Sequence, residues 1–466
     1  MSTIDNSAKR KRLVVLGGGE SGVGAAILAK DKGMDVFLSD SGKITSYYRQ
    51  MLVDENIPFE EQQHTMELII NADEVVKSPG IPPTAPVVRE VISRRIPVIS
   101  EIEFAGRYTD SKMVCITGSN GKTTTTLLTY HIFKKAGIDV GLAGNVGKSL
   151  ALQVSRDPHD VYVIELSSFQ LENMYDFKAN VAVMMNITPD HLDRYDYRMQ
   201  NYVNAKFRIL NNMTDCDSFV FWKDDPIIAD QLRHLDTQAR LVPFAEHRES
   251  PYTAAWVEEE DETVIFAPKA NDSSLRMPRA DLALHGLHNL YNSMAAALSA
   301  SILDVKKDAI REALADFEGV EHRLEYSGTV DGVRYINDSK ATNVNSCWYA
   351  LESMPSGKKS VVLILGGKDK GNDYSEIMPL VEAKVKAIVA MGLNNEKITD
   401  FFGDKVPVVD THSLAEAIDA CREVSVSGDT VLLSPCCASF DLFKSYEDRG
   451  EQFKQVVKGL KKSDTK

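Results

Sequence analysis

The sequence predicts an α/β protein of three consecutive domains built on mainly parallel sheets. Three observations lead there. Short apolar runs alternate with helical patterns along most of the chain, the rhythm of strand–helix–strand units. Glycine-rich or polar turns follow directly on several of those runs. The length of 466 residues, at about 150 residues per domain, makes room for about three domains. No repeat period interrupts the pattern.

The first unit is RLVVLG (12–17), a helix across 22–32, and VFLSD (36–40). The second block opens with KMVCITG (112–118) and a helix TTTTLLTYHIFKKAG, whose Gly137 suits a C-terminal cap. Buried-type strands VYVIEL (161–166) and VAVMMNI (181–187) follow. From about Ala245 to Leu284 the texture changes to antiparallel hairpins, with a solvated turn at Glu258 to Asp261. The third block carries VRYIND (333–338), SVVLILGG (360–367), AIVAMG (387–392) and TVLLSP (430–435), again between helices. The domains expected are 1–110, 111–320 and 321–466.

Apolar residues make up 43% and charged residues 26%, an ordinary globular balance that excludes disorder for the bulk of the chain. The net charge of −14 opposes nucleic-acid and anionic-membrane binding. No apolar stretch reaches the length of a transmembrane helix. The basic run Lys9 to Arg12 reads as a solvated leader before the first strand. The following glycines and Glu20 spoil it as a signal peptide. Six scattered cysteines form no CxxC pair, so a reduced, cytoplasmic protein is expected.

The strongest motif is Gly118-Ser119-Asn120-Gly121-Lys122-Thr123-Thr124, set between a strand and a helix. Amides of such a turn converge on phosphate oxygens, and the helix N-terminus adds positive potential. Lys122 can bridge terminal phosphates and Thr123 can ligate Mg²⁺. Ile116 stands where the full spacing wants glycine, so the loop is a shortened variant. Gly17 to Gly22 satisfies GxGxxG after a strand, and Asp40 ends the next one. A dinucleotide site, another nucleotide site and a merely tight turn all fit that pattern. Glu165 near a strand end is a natural Mg²⁺ ligand. In Asn186 to Tyr195, Asp190 or His191 could reach a second Mg²⁺ and Arg194 a phosphate; His191 with Asp193 could instead be a zinc fragment.

Lys206, in the helical pattern NYVNAKFRIL, reads by itself as a solvated lysine. Gly286 to Asn292 reads as a helix start whose amides could cap or could meet a base. In the third block polar groups follow three strands: Asn337 to Thr342, Gly366 to Lys370 and Ser434 to Phe440. The last is expected to open a long helix whose N-terminus near Ser439 could hold a carboxylate, with Lys370 pairing the same anion. Cys436 and Cys437 read as small packing residues.

With these segments the chain resembles the Mur ligase family nearly end to end. The resemblance rests on GSNGKTT, AGNVG (143–147), ELSSFQLE (165–172), TPDHLDRY (188–195), HNLYN (288–292), EHR (321–323), NDSKATN (337–343), LGGKDK (365–370) and SPCCASFD (434–441). The last four look like the branch that adds D-glutamate to UDP-N-acetylmuramoyl-L-alanine. The resemblance implies a Rossmann-like first domain, a P-loop ATPase-like mononucleotide-binding centre and a Rossmann-like third domain. It implies an ADP-forming amide ligase acting through an acyl phosphate, working as a monomer in peptidoglycan synthesis. Lys122 and Thr123 would serve ATP and Mg²⁺, with Gly118 to Thr124 as the phosphate loop. Glu165 and His191 would ligate metal at two Mg²⁺ sites. Lys206 matches the family lysine that CO₂ carbamylates, which would make it a metal ligand.

Asn289 and Asn292 would face adenine, and Arg323, Asp338 and Lys340 the ATP phosphate and ribose. Asn145 and Gln170 would contact the UDP-sugar arm. Ser21, Asp40, Ser41, Ser78 and Gly80 match uridine and diphosphate positions, so the first domain would bind UDP rather than NAD. Thr342, Lys370, Ser439 and Phe440 would cradle D-glutamate, with Tyr446 in the place of a family aromatic. Gly42 stands where some members have an arginine near uracil, and Glu20 replaces an apolar residue. A folylpolyglutamate-type ligase shares the central architecture, but NDSKATN and SPCCASFD count against it. A nucleotide-sensing module without chemistry would leave the polar strand ends unexplained.

Overall fold

The computed structural model describes residues 10–248, 250–268, 274–355, 357–369 and 371–463. Lys9 and Lys370 lie outside them. Among the described residues the strands assemble into three sheets. The first uses β1 (Arg12–Leu16), β2 (Asp35–Ser39), β3 (Phe59–Glu60), β4 (Glu74–Lys77) and β5 (Val98–Ile99) in the order β3-β2-β1-β4-β5. All its pairs are parallel. Helices cover both faces of such a sheet, which is why Leu13 to Leu16 are all apolar and fully buried. The order reverses between β1 and β4, so the turns at Gly17 and Ser78 open side by side at a switch point.

The second sheet contains β6 (Lys112–Thr117), β7 (Val140–Gly144), β8 (Val161–Glu165), β9 (Val181–Met184), β10 (Ser218–Trp222), β11 (Arg240–Phe244), β12 (Ala255–Glu258), β13 (Thr263–Phe266) and β14 (Leu275–Pro278). Its order is β14-β13-β12-β11-β10-β9-β6-β8-β7. β6 lies between β8 and β9, in parallel register with both. The carboxyl ends of the three therefore converge. The expected hairpins are present: β12, β13 and β14 pair antiparallel.

The third sheet holds β15 (Glu325–Val330), β16 (Val333–Asn337), β17 (Val361–Gly366), β18 (Val385–Met391), β19 (Val408–Thr411) and β20 (Thr430–Cys436). Its order is β15-β16-β20-β17-β18-β19, with β15 antiparallel and the rest parallel. One expectation fails here. No helix opens at Ser439: the long helix begins at Tyr446 and runs to Ser463. Residues 437–445 form bends and turns, begun by Cys436 in the left-handed region (φ 60°), which helix propagation cannot follow.

Two compact units result. One holds the first two sheets, through Asp281, together with Tyr291–Ala315; the other holds Leu282–Leu290 and the chain from Asp316 onward. No helix of the described residues is long and apolar enough to cross a membrane. All six cysteines are free.

Candidate active site

In the first unit the loop after β6 carries the densest polar geometry. Gly118 is at φ +148°, and a Cβ there would press on Met185 and on the Asn186 backbone. Gly121, left-handed at φ +82°, caps the helix Lys122–Lys135. Asn186, just after β9, braces the loop: its carbonyl accepts from the Ser119 amide at 2.8 Å and its Oδ1 from the Asn120 amide at 2.8 Å. The loop is thus held open from outside, with its amides arranged around the helix start.

Two lysines meet at one carbonyl. Lys122 Nζ donates to Gly118 O at 2.9 Å and to Ser119 O at 2.8 Å. Lys206 Nζ donates to the same Gly118 O at 2.7 Å. Lys206 is buried, with its ammonium 4.6 Å from the Tyr202 ring centre. This corrects the reading of a solvated lysine. Burial, then repulsion from Lys122, holds the amine well below the ordinary lysine range, against the pull of Asp190 and Glu165. A neutral amine is the nucleophilic form, the one that can take up CO₂.

Glu165 ends β8 and is buried. Its Oε1 accepts from Asn145 Nδ2 at 2.9 Å, and its Oε2 has no hydrogen-bond partner. An orphaned buried carboxylate oxygen is a hard anionic donor suited to a divalent cation. Thr123, in the first turn of the neighbouring helix, supplies a hydroxyl. Among the described residues no three His, Cys, Asp or Glu side chains cluster as a metal site. The Glu165 oxygen and the Thr123 hydroxyl form a sparse oxygen set that fits Mg²⁺, which keeps several waters and uses substrate phosphates. His191, with φ 52°, has a half-exposed ring packed edge-on against Phe169 at 5.1 Å. Thr124 is buried with its hydroxyl unpartnered, and Asn292 is buried with Oδ1 accepting from Thr125 Oγ1 at 3.1 Å. Gln170 is committed to a capping box with Ser167.

At the end of the first sheet Gly17 (φ +104°) is required twice over, since a Cβ there would meet Ser78 Oγ. Both Asp40 oxygens accept backbone amides, Gly18 at 2.5 Å and Gly42 at 2.7 Å. Ser21 is half-buried and Ser41 exposed beside them. Glu20, out of place as a glycine-loop residue, accepts from the Ser149 amide and the Tyr48 hydroxyl, each at 3.1 Å. Arg194 does not stand free for a phosphate: it pairs with Glu172 at 3.1 Å and donates to Pro79 O at 3.0 Å.

The second unit gathers its own set. A pocket is lined by His288, Asn289, Arg323, Asp338, Ser346 and Tyr349, among others. Burial raises Asp338 to about 6, although Arg323 and the Ser434 hydroxyl (2.8 Å) favour its charged form. Lys340 lies 5.3 Å from the Tyr446 ring centre, and Thr342 is half-buried on the same loop. Ser439 is buried, whereas Phe440 is exposed. Sequence reasoning missed Arg449. It is buried, and its guanidinium donates to Ser339 Oγ at 2.9 Å, Ser339 O at 2.8 Å and Cys437 O at 3.2 Å. It ties the loop after β16 to the loop after β20. Cys436 and Cys437 are packed in the core as expected.

Comparison with known proteins decides the family. A model of the Mur ligase middle domain matches residues 116–300, one of the Mur ligase glutamate ligase domain matches 322–437, and one of the MurD N-terminal domain matches 12–87. A relative from Bacteroides fragilis, named UDP-N-acetylmuramoylalanine--D-glutamate ligase, is 59% identical across 97% of this chain and 100% of its own. This chain belongs to the Mur ligase family. A relative of the same name from Porphyromonas gingivalis is 56% identical over 96% of this Mur ligase and 98% of its own length. Among solved structures, the UDP-N-acetylmuramate-alanine ligase of Thermotoga maritima superposes with a TM-score of 0.60 at 19% identity, covering 96% of this Mur ligase and 99% of that chain. That likeness is one of fold. The three-domain α/β architecture is therefore that of a Mur ligase.

Proposed function

We propose that this Mur ligase adds D-glutamate to UDP-N-acetylmuramoyl-L-alanine with hydrolysis of ATP to ADP and phosphate, in cytoplasmic peptidoglycan precursor synthesis. The full-length relatives at 59% and 56% identity carry that name. Within the molecule, the observation that supports it most is the pair of lysines sharing the Gly118 carbonyl beside the orphaned Glu165 oxygen. The work divides as UDP binding in 1–110, ATP binding in 111–320 and amino-acid binding in 321–466. The enzyme acts as a monomer.

The reaction needs an oxygen of the acceptor carboxylate to attack the γ-phosphorus in line while ADP leaves. Lys122 releases the Gly118 and Ser119 carbonyls and turns to the phosphates, so the resting loop stores the cation near its place of use. Loop amides of Ser119 to Thr124 hold the phosphate oxygens. Thr123, Glu165 and His191, with Lys206 once carbamylated, would hold Mg²⁺, which when bound would supply charge neutralisation at the phosphates. Arg323, Asp338 and Lys340 serve ATP phosphate and ribose; Asn289 and Asn292 serve adenine.

The acyl phosphate is then attacked at carbonyl carbon by the neutral amine of D-glutamate. The tetrahedral intermediate collapses, phosphate leaves with the C–O bond electrons, and the nitrogen loses its proton. Thr342, Lys370, Ser439, Phe440 and Tyr446 hold the dicarboxylate. Asn145 and Gln170 position the sugar arm; Ser21, Asp40, Ser41, Ser78 and Gly80 hold the uridine diphosphate. The test is phosphate release with ATP, Mg²⁺ and the nucleotide-sugar across amino acids of both hands. Release that requires D-glutamate is expected; release with another amino acid refutes the assignment of the third domain.

A further inference from the structure

Beneath the Ser78-Pro79-Gly80 turn lie two cations that the catalytic scheme does not use. Lys77, the last residue of β4, is 3% exposed. Its Nζ donates to Ile81 O at 2.8 Å and Ser78 O at 3.3 Å. Among the described residues it has no ion-pair partner. Arg194 comes from the segment after His191. Its guanidinium lies 3.7 Å from the centre of the Phe169 ring, pairs with Glu172, and donates to Pro79 O, while its buried Nε has no partner. Three carbonyls of one short turn are thus held by two cations, Lys77 buried and Arg194 largely so. One carboxylate, Glu172, stands against them.

That arrangement orients the turn. The peptide bonds are trans, so a Pro79 carbonyl drawn toward Arg194 directs the Gly80 N–H the opposite way. The space beside Gly80 and beside Gly19 is open, and the glycine loop touches the turn at Ser78. Burying an unpaired ammonium is costly. Burial, with repulsion from Arg194, lowers Lys77 to about 8. An anion brought against the outer side of the turn would offset that cost.

We infer that Lys77 and Arg194 form a cationic clasp that presets the Ser78–Gly80 turn and its field for the diphosphate of a nucleoside-diphosphate sugar. Both are positioning residues, acting through the turn. Arg194 also joins the turn to the segments bearing Glu165 and His191, through Glu172 and through its own chain position. The inference rests on the reading that this end of the first sheet takes the UDP moiety.

Calorimetric binding of UDP and of UMP tests it, using the full-length protein and the variants Lys77→Met and Arg194→Lys. Lys77→Met keeps the buried volume and removes the charge. It is expected to weaken UDP about tenfold and UMP less than threefold, as loss of an interaction with the second phosphate predicts. Arg194→Lys keeps a cation and is expected to weaken UDP by about threefold. The KM for ATP stays unchanged in both, a split that general destabilisation would not produce. Equal losses for UDP and UMP, or unchanged UDP affinity in both variants, would overturn the clasp. No binding of UDP or UMP by the unsubstituted protein would overturn the assignment of the site itself.

Discussion

Glu165→Gln separates function from stability at the most exposed assumption of the mechanism. In the ligand-free protein one oxygen of this carboxylate is buried without a partner, and such a group costs about 1–3 kcal/mol, more when charged. Gln keeps the shape, and its oxygen can still accept from Asn145, now 2.9 Å from Oε1. Removing the charge lowers the cost of burial, but the amide nitrogen of Gln then takes the unpartnered place, so the ligand-free variant should melt within a few degrees of the native protein. The same change removes the anionic oxygen offered to Mg²⁺. The native protein should gain about 3 kcal/mol from Mg-ATP at a hundred times its Kd; the variant should lose the Mg²⁺-dependent part and release phosphate at least a hundredfold more slowly. Thermal melts with and without Mg-ATP, beside phosphate release, read all three effects. A variant that melts well below the native protein without ligand, yet responds equally to Mg²⁺, would refute the reasoning.

Lys206→Ala should be nearly inactive and regain part of its turnover with millimolar formate or acetate; activity near normal without additive would remove the carbamate from the scheme. Glu101, buried and accepting from Ser149 Oγ at 2.7 Å and the Ala151 amide at 2.6 Å, is raised by burial to about 7. Between pH 4.5 and 7 the folded state then holds a proton the unfolded chain lacks, so stability falls as pH rises, by about 3 kcal/mol in all. Glu101→Gln should flatten that fall in denaturant titrations at pH 5 and 8; an unaltered pH slope would show that Glu101 ionises normally. Arg449→Lys should cost about 2–4 kcal/mol in unfolding free energy, since one ammonium cannot span Ser339 and Cys437; a denaturant midpoint within error of the native one would contradict the bridge.

What the sequence revealed follows the reach of each signal. The phosphate loop was legible because strand, glycines, lysine and helix lie within a dozen or so consecutive residues. The hairpins of β12 to β14 were legible from alternation alone. Lys206 was not, because its burial depends on a carbonyl 88 positions away and its helix looks ordinary in isolation. Arg449 hid for the same reason, its acceptors lying on two other loops. The misplaced helix start has a local cause: residues 438–445 have helix-compatible composition, and only the left-handed Cys436 and the turns after it delay the helix to Tyr446. Resemblance supplied the role proposed for Lys206; the fold shows only that its amine is buried and held well below the ordinary lysine range.

The chain passes between its two compact units more than once. Leu282–Leu290 belongs with the third sheet, although Tyr291–Ala315 returns to the first unit within the same helix, Leu287–Ile302. His288 packs on Tyr349 at 4.5 Å, and this short excursion lines the pocket with Arg323 and Asp338. A recombinant fragment starting at residue 321 would therefore leave behind one wall of that pocket and expose the apolar surface it covered. Proteolytic nicking near 316 would be tolerated only while the excursion remained attached to the other piece. The second compact unit of this ligase is thus not a module that can be cut out and swapped at a single joint; an exchange between relatives needs three junctions, near 281, 290 and 315.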